Sequence, residues 1–147
     1  MQNIACCDQS GGETALHAAV KRGHKSIVSL LLANGASVDL SNMEEETPLL
    51  IAARLGFNYI AQLLIKNGAS INTTSKNGNT PLHEAADNNH VNVMGTLLNA
   101  KGDIYTRNMN DQTAFCIARS KNHNGRNNLL VLKEKEQNLI DAIYQGA

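Results

Sequence analysis

The side chains in this chain best suited to chemistry are five histidines and three cysteines. Histidine titrates near neutral pH and ligates metals, and a thiolate is a nucleophile, so a cluster of either could build a catalytic or metal centre. Their placement argues for another role. His17 and His83 hold the fourth position of the heptapeptides TALHAAV and TPLHEAA, and Cys116 holds the same position in TAFCIAR. His24, His90 and His123 share a second slot. A histidine that returns once per repeating unit is expected to hydrogen-bond between adjacent turns, and Cys116 to be a buried small side chain. Cys6 and Cys7 have no adjacent base, apolar run or basic cluster that would activate or acylate them. No glycine-rich phosphate loop, paired-carboxylate cleft or Ser-His-Asp set can be assembled without borrowing these repeated residues. The expectation is a chain that is not an enzyme and needs neither a metal nor a cofactor.

The elements that carry these residues follow one period. Thr14, Thr47, Thr80 and Thr113 recur every 33 residues, and each opens one of the peptides TALHAAV, TPLLIAA, TPLHEAA and TAFCIAR. A chain built from one short unit buries its apolar faces between neighbouring copies rather than around a single centre. Within each copy two apolar stripes at helical spacing predict two short amphipathic helices. The stripes are Leu16/Ala19/Val20 with Ile27/Leu30/Leu31, Leu49/Ala52/Ala53 with Ile60/Leu63/Leu64, and Leu82/Ala85/Ala86 with Val93/Leu97/Leu98. Each threonine supplies an N-cap hydroxyl, and Pro48 and Pro81 stand in the first helical turn, where a missing N–H costs nothing. Asn34-Gly35 and Asn67-Gly68 mark the ends of the second helices, since glycine adopts the left-handed conformation that closes a helix. Polar, turn-rich segments at 37–46 and 70–79 join the copies, with Asn77-Gly78 as a hairpin signal.

Composition narrows the function classes. Hydrophobic residues make up 42% of the 147 but aromatics only 3%, so the core must be aliphatic and its helices closely packed. Thirteen basic residues balance 13 acidic ones, and no basic cluster is interleaved with aromatics, which argues against nucleic acid. Apolar runs fall far short of the eighteen or so residues that span a bilayer, and residues 1–10 carry neither the positive charge nor the apolar stretch of a secretory signal. Three cysteines, two of them adjacent, suit reduced thiols in a cytosol better than a disulfide framework. A cytoplasmic workplace is expected, with the nucleus or a host cell's cytosol as alternatives. The 19 asparagines suggest an AT-rich coding genome and leave a host-directed effector open as a role.

The TPLHxAA-type heptapeptides, the dipeptides Gly23-His24 and Gly56-Phe57, and the segments 31–38 and 64–71 that end in LLxxGASV-like runs together resemble ankyrin repeats over roughly residues 12–132. The resemblance implies an all-α solenoid of stacked helix–turn–helix units with β-hairpin fingers, binding another protein on the concave face made by fingers and first helices. The units fall at 12–44, 45–77 and 78–110, followed by a degenerate capping unit at 111–132. Residues 1–11 read as a partial repeat or shielding segment, and 133–147, with Leu139, Ile140 and Ile143 at helical spacing, as a terminal helix that either caps the stack or binds a partner. Arg119, Arg126, Asn127 and Asn128 give the last unit the polar end face that a solenoid cap requires.

Departures from the period carry further expectations. Gly95 and Thr96 weaken the second helix of the third unit, by about 1 kcal/mol for the glycine alone. Ala100-Lys101-Gly102 replaces the Asn-Gly-Ala of earlier units, so either that helix runs one residue further or Lys101 takes a positive φ.

Positions that the scaffold does not need define the expected partner-binding residues. These are Lys21 and Arg22 in the first unit, with Glu13 beside them, and Met43, Glu44, Glu46, Arg54 and Leu55 in the second. The third and fourth units add Lys76, Asn77, Asn79, Asp87 and Asn88, then Arg107, Met109, Gln112 and Lys121. Met43, Leu55 and Met109 are the apolar anchors on a mixed-charge strip that suits a polar protein patch rather than a polyanion. The alternative to an adaptor or scaffold is a structural spacer or targeting segment of a longer protein. A monomer with no small-molecule substrate is expected. Asn72, which ends the LLxxGAxxN-like segment, resembles the family's sites of asparaginyl hydroxylation; Asp39 holds that slot one unit earlier.

Overall fold

A computed structural model describes residues 12–121 of the chain. Seven helices lie in that span: α1 (Ala15–Lys21), α2 (Lys25–Ala33), α3 (Pro48–Leu55), α4 (Asn58–Lys66), α5 (Pro81–Asp87), α6 (Val91–Asn99) and α7 (Ala114–Ser120). They form two layers. First helices α1, α3, α5 and α7 pack on one another in chain order, second helices α2, α4 and α6 do the same, and α1, α3 and α5 each pack on the second helix of their own unit. The aliphatic seams predicted between copies are therefore the core, with Val20, Ile51, Ile60, Leu64, Leu82, Val93 and Leu97 fully or almost fully buried.

The start signals act as read. Thr14, Thr47, Thr80 and Thr113 are N-caps whose hydroxyls accept the amide of the third helical residue, and Pro48 and Pro81 open α3 and α5. Each of the four satisfies an amide that the helix leaves without a partner. The second helices stop where Gly35 and Gly68 reach φ of 86° and 91°. The following amides, of Ala36 and Ala69, then reach back to the carbonyls of Leu31 and Leu64 at 3.0 Å. In the third unit the second alternative holds. Helix α6 keeps the nine residues of α2 and α4, and Lys101 takes φ of 66° in the glycine slot. Gly102 then supplies the closing bond to the Leu97 carbonyl. Thr96, in a slot that is apolar in the other units, donates its hydroxyl to Asn58 Oδ1 at 2.6 Å and so ties α6 to α4.

Three expectations need correction. The face of α2 is rotated: Val28 and Leu32 are buried, Leu31 is half-buried, and Ile27 and Leu30 stand 47% and 63% exposed. Their counterparts Ile60 and Leu63 are buried and half-buried on α4, which packs on the preceding second helix, and α2 has no such neighbour among the described residues. Cys116 is exposed, not buried. His17 and His83, in the same slot, are covered by the finger that follows 29 residues on, and that finger has no equivalent for Cys116 among the described residues. The fingers, finally, carry hairpin-type turns without strands among the described residues. Two backbone bonds close each: the amide of Asn42, Ser75 or Asn108 donates to the carbonyl of Glu46, Asn79 or Gln112, and the amide of Glu45, Gly78 or Asp111 donates back to the carbonyl of Asn42, Ser75 or Asn108. The Asn42 and Asn108 side chains take over the turn, each accepting two amides from its own finger. Backbone amides bound by a side chain are withdrawn from a strand ladder.

His123, Cys6, Cys7, Arg126, Asn127 and Asn128, the segment 1–11, the second helix of the fourth unit and the terminal helix at 133–147 lie outside the described residues.

Candidate protein-binding face

The fingers and first helices create one face, and the repeated histidines fasten it. His17 and His83 are buried. The amides of Thr14 and Thr80 donate to Nδ1 at 3.1 Å, which fixes Nδ1 as acceptor and leaves the proton on Nε2. That proton goes to the next unit's finger, to the carbonyl of Glu46 at 2.9 Å from His17 and of Gln112 at 2.8 Å from His83. Burial holds His83 below the usual histidine range, although its bonds to the backbone of Gln112 and Thr106 act the other way. His90 plays a related part, with Nε2 on the Arg54 carbonyl at 3.0 Å and its ring lying over Gly56. His17, His83 and His90 are thus structural fasteners, whereas His24, in the slot of His90, is exposed and its side chain caps no helix amide, contrary to the expectation for that slot. No group of three or more His, Cys, Asp or Glu among the described residues is arranged to hold a metal ion.

Neighbouring fingers are also joined directly. Lys76 N–H donates to the Glu44 carbonyl at 3.4 Å, Met109 N–H to the Asn77 carbonyl at 3.0 Å, and Asn108 to Asn79 Oδ1 at 2.9 Å. This lines up Met43, Lys76 and Met109, which occupy one register on successive finger tips. Both methionines are strongly exposed, at 71% and 77%.

The predicted strip divides into groups. Glu13 pairs with Lys21, and Glu46 with Arg54, at the same register in successive units. The third unit breaks that pattern, because Asn79 and Asp87 replace the acid and the base. Asp87 turns instead to Lys121 at 3.3 Å, and Arg107 pairs within its own finger with Asp111 at 3.2 Å. Arg22, Leu55 and Asn88 share the register at the ends of the first helices; Leu55 is exposed, while the Asn88 amide caps its own helix through the Glu84 carbonyl. Gln112 accepts from His83 and sits at the base of its finger. Asn72 lies apart from this strip, exposed, with its carboxamide oxygen accepting the Asp103 amide at 3.0 Å, as Asp39 accepts that of Ser70.

A cleft of about 250 Å³ opens between the α2–α3 finger (37–46) and the α4–α5 finger (70–79), and it gathers five of the predicted residues. Glu44, Glu46, Arg54, Lys76 and Asn77 line it together with Ser75 and Glu84. Glu84 was missed in the sequence reading. A signal was there, since its slot holds Ile51 and Ile117 in the flanking units, both buried. Burial raises the Glu84 carboxyl above the usual carboxylate range; the Asn79 bond and Arg54 pull it down, while Glu46 and Asp87 push it further up.

No helix among the described residues is long and apolar enough to cross a membrane. Comparison with known proteins adds the family. No curated protein matches this sequence. A family model described as ankyrin repeats in three copies matches residues 1–75, and one described as ankyrin repeats in many copies matches residues 57–98. Ankyrin repeats are generally protein–protein interaction modules and typically non-catalytic. With more than half of its length under the first match and its helix pairs stacked at the period that the threonines announce, the chain belongs to the ankyrin repeat family.

Proposed function

We infer that this chain is a non-catalytic adaptor or scaffold that holds another protein on its finger-and-first-helix face. The observation that carries this reading is the row of finger tips. Met43 and Met109 stand exposed on tips whose backbone is already fixed by hydrogen bonds between neighbouring fingers, so the scaffold has no use for an apolar side chain there. Interface energy concentrates in a few side chains that lose water on binding, and a pre-ordered surface loses little entropy in doing so. Met43→Arg combined with Leu55→Asp tests it. Capture of a partner from native lysate is expected to be abolished with the melting temperature unchanged, and an undiminished interaction removes these anchors.

A second reading, a spacer or targeting segment in a longer protein, is favoured by Ile27 and Leu30. Their exposure leaves α2 with an apolar face of the kind that α4 and α6 pack against the preceding second helix. Under that reading the double substitution leaves every interaction intact. Asn72 is the proposed modification site, supported by its exposure; intact mass after expression beside an asparaginyl hydroxylase tests it, and an unchanged mass rejects it.

A further inference from the structure

The cleft between the two fingers contains one group that the fold leaves unanswered. None of the four ion pairs among the described residues includes Glu84. Its one side-chain hydrogen bond there comes from the Asn79 amide at 3.4 Å, a long and neutral contact. The base whose charge acts on it, Arg54, is committed to Glu46. In the flanking units this slot carries isoleucine, so packing alone would place an aliphatic residue here. A half-buried carboxylate without a cation is costly, and a local rule broken without structural gain is characteristic of functional positions.

The lining shows what would answer it. Three carboxylates, Glu44, Glu46 and Glu84, face two cations, Arg54 and Lys76, so the cleft carries one excess negative charge. Glu46 is neutralised by Arg54, and Glu44 and Lys76 lie exposed on opposite fingers where water screens both. The excess therefore resides at Glu84. At about 250 Å³ the space falls below the range of roughly 300–1,000 Å³ typical of small-molecule pockets, yet greatly exceeds the roughly 30 Å³ of one water. It is the size for one long side chain. Ser75 and Asn77 on the rim add neutral hydrogen-bonding groups, and Met43 and Met109 flank Lys76 along the finger tips.

We propose that this cleft receives a lysine or arginine side chain of the partner protein, with the Glu84 carboxylate as its counter-ion. The inference rests on the partner-binding reading above and names the chemistry of its central contact. The partner's chain then crosses the finger tips, with apolar residues against Met43 and Met109 on either side of the buried cation.

The test is selection of the full chain against a displayed random-peptide library, followed by affinity measurement on the selected peptides. Peptides sharing one basic residue are expected. Replacing that residue by methionine in the peptide weakens binding to the wild-type chain about tenfold or more, and Glu84→Gln weakens the parent peptide by a similar factor. On Glu84→Gln the peptide substitution has little further effect, which separates a direct contact from a change in folding. Selected peptides without a common basic residue, yet still sensitive to Met43→Arg with Leu55→Asp, overturn the counter-ion role and leave the binding face standing. Peptides insensitive to that double substitution, or no selected peptide at all, overturn both.

Discussion

His83 Nε2 lies 2.8 Å from the Gln112 carbonyl oxygen while its Nδ1 accepts the Thr80 amide at 3.1 Å, so one neutral imidazole closes a helix start and clasps the finger of the next unit. Protonation at Nδ1 would eject the Thr80 amide from its acceptor. Burial accordingly keeps His83 neutral, with its pKa below the ordinary value of 6.5. In the unfolded chain the same group gains its proton near pH 6.5, so the unfolded state binds more protons below that point. This contribution to stability is complete above about pH 6.5 and is lost as pH falls from there towards and through the folded pKa. Urea midpoints at pH 7.5 and pH 5.5 check it. His83→Leu, which installs the residue found in the same slot at Leu50, is expected to lower stability at pH 7.5 and to shrink the drop between the two pH values. An equal drop in both proteins excludes His83 as its source.

Gly56 and His90 are related by close approach. A Cβ on Gly56 would lie 2.5 Å from His90 Nδ1, and the residue already sits at φ of 82°. Gly56→Ala therefore combines left-handed backbone strain with displacement of a ring that bonds to the Arg54 carbonyl, for an expected loss of roughly 2–4 kcal/mol. Gly68→Ala separates the two terms. At φ of 91° with nothing within 4 Å of its Cβ, it carries the backbone strain alone, about 1–2 kcal/mol. Equal losses for the two variants in denaturant titrations would show that the His90 contact carries no energy.

Lys101 holds the left-handed slot that Gly35 and Gly68 occupy in earlier units. Lys101→Gly relieves strain in the folded chain and adds freedom to the unfolded one, terms of opposite sign. The strain is the larger, and a net stabilisation of about 0.5–1 kcal/mol is expected. Thermal unfolding measures it, and a lowered melting temperature contradicts it.

The period of threonines, the capping prolines and the Asn-Gly stops made the helix pairs and their order legible, because each signal acts within a few residues of itself. What escaped reading depends on neighbours. Ile27 has the sequence of a core residue and the exposure of a surface one, since burial at that slot is supplied by the preceding second helix rather than by its own. Cys116 differs from His83 for a similar reason at the other end of the described span. Of the positions read as free of scaffold duties, the cleft gathers Glu44, Glu46, Arg54, Lys76 and Asn77. Glu84 was obscured because it lies within a heptapeptide whose other positions build the scaffold.

That substitution of a carboxylate for an isoleucine has a measurable consequence for stability. Ile51 and Ile117 are buried in the slots flanking Glu84, so the backbone there accepts an isoleucine without rearrangement. Glu84→Ile removes a desolvated charge and adds apolar area in a half-buried position, for an expected gain of about 1 kcal/mol. It also deletes the one half-buried carboxylate of the cleft that belongs to none of the ion pairs among the described residues. If the acid is retained for binding, the variant is more stable and has lost its preference for basic peptides, the opposed changes expected where function keeps a site away from its most stable sequence. Differential scanning calorimetry gives the first quantity and peptide affinity the second. A variant that is destabilised would instead make Glu84 a structural residue, held by the Asn79 amide and the Arg54 field.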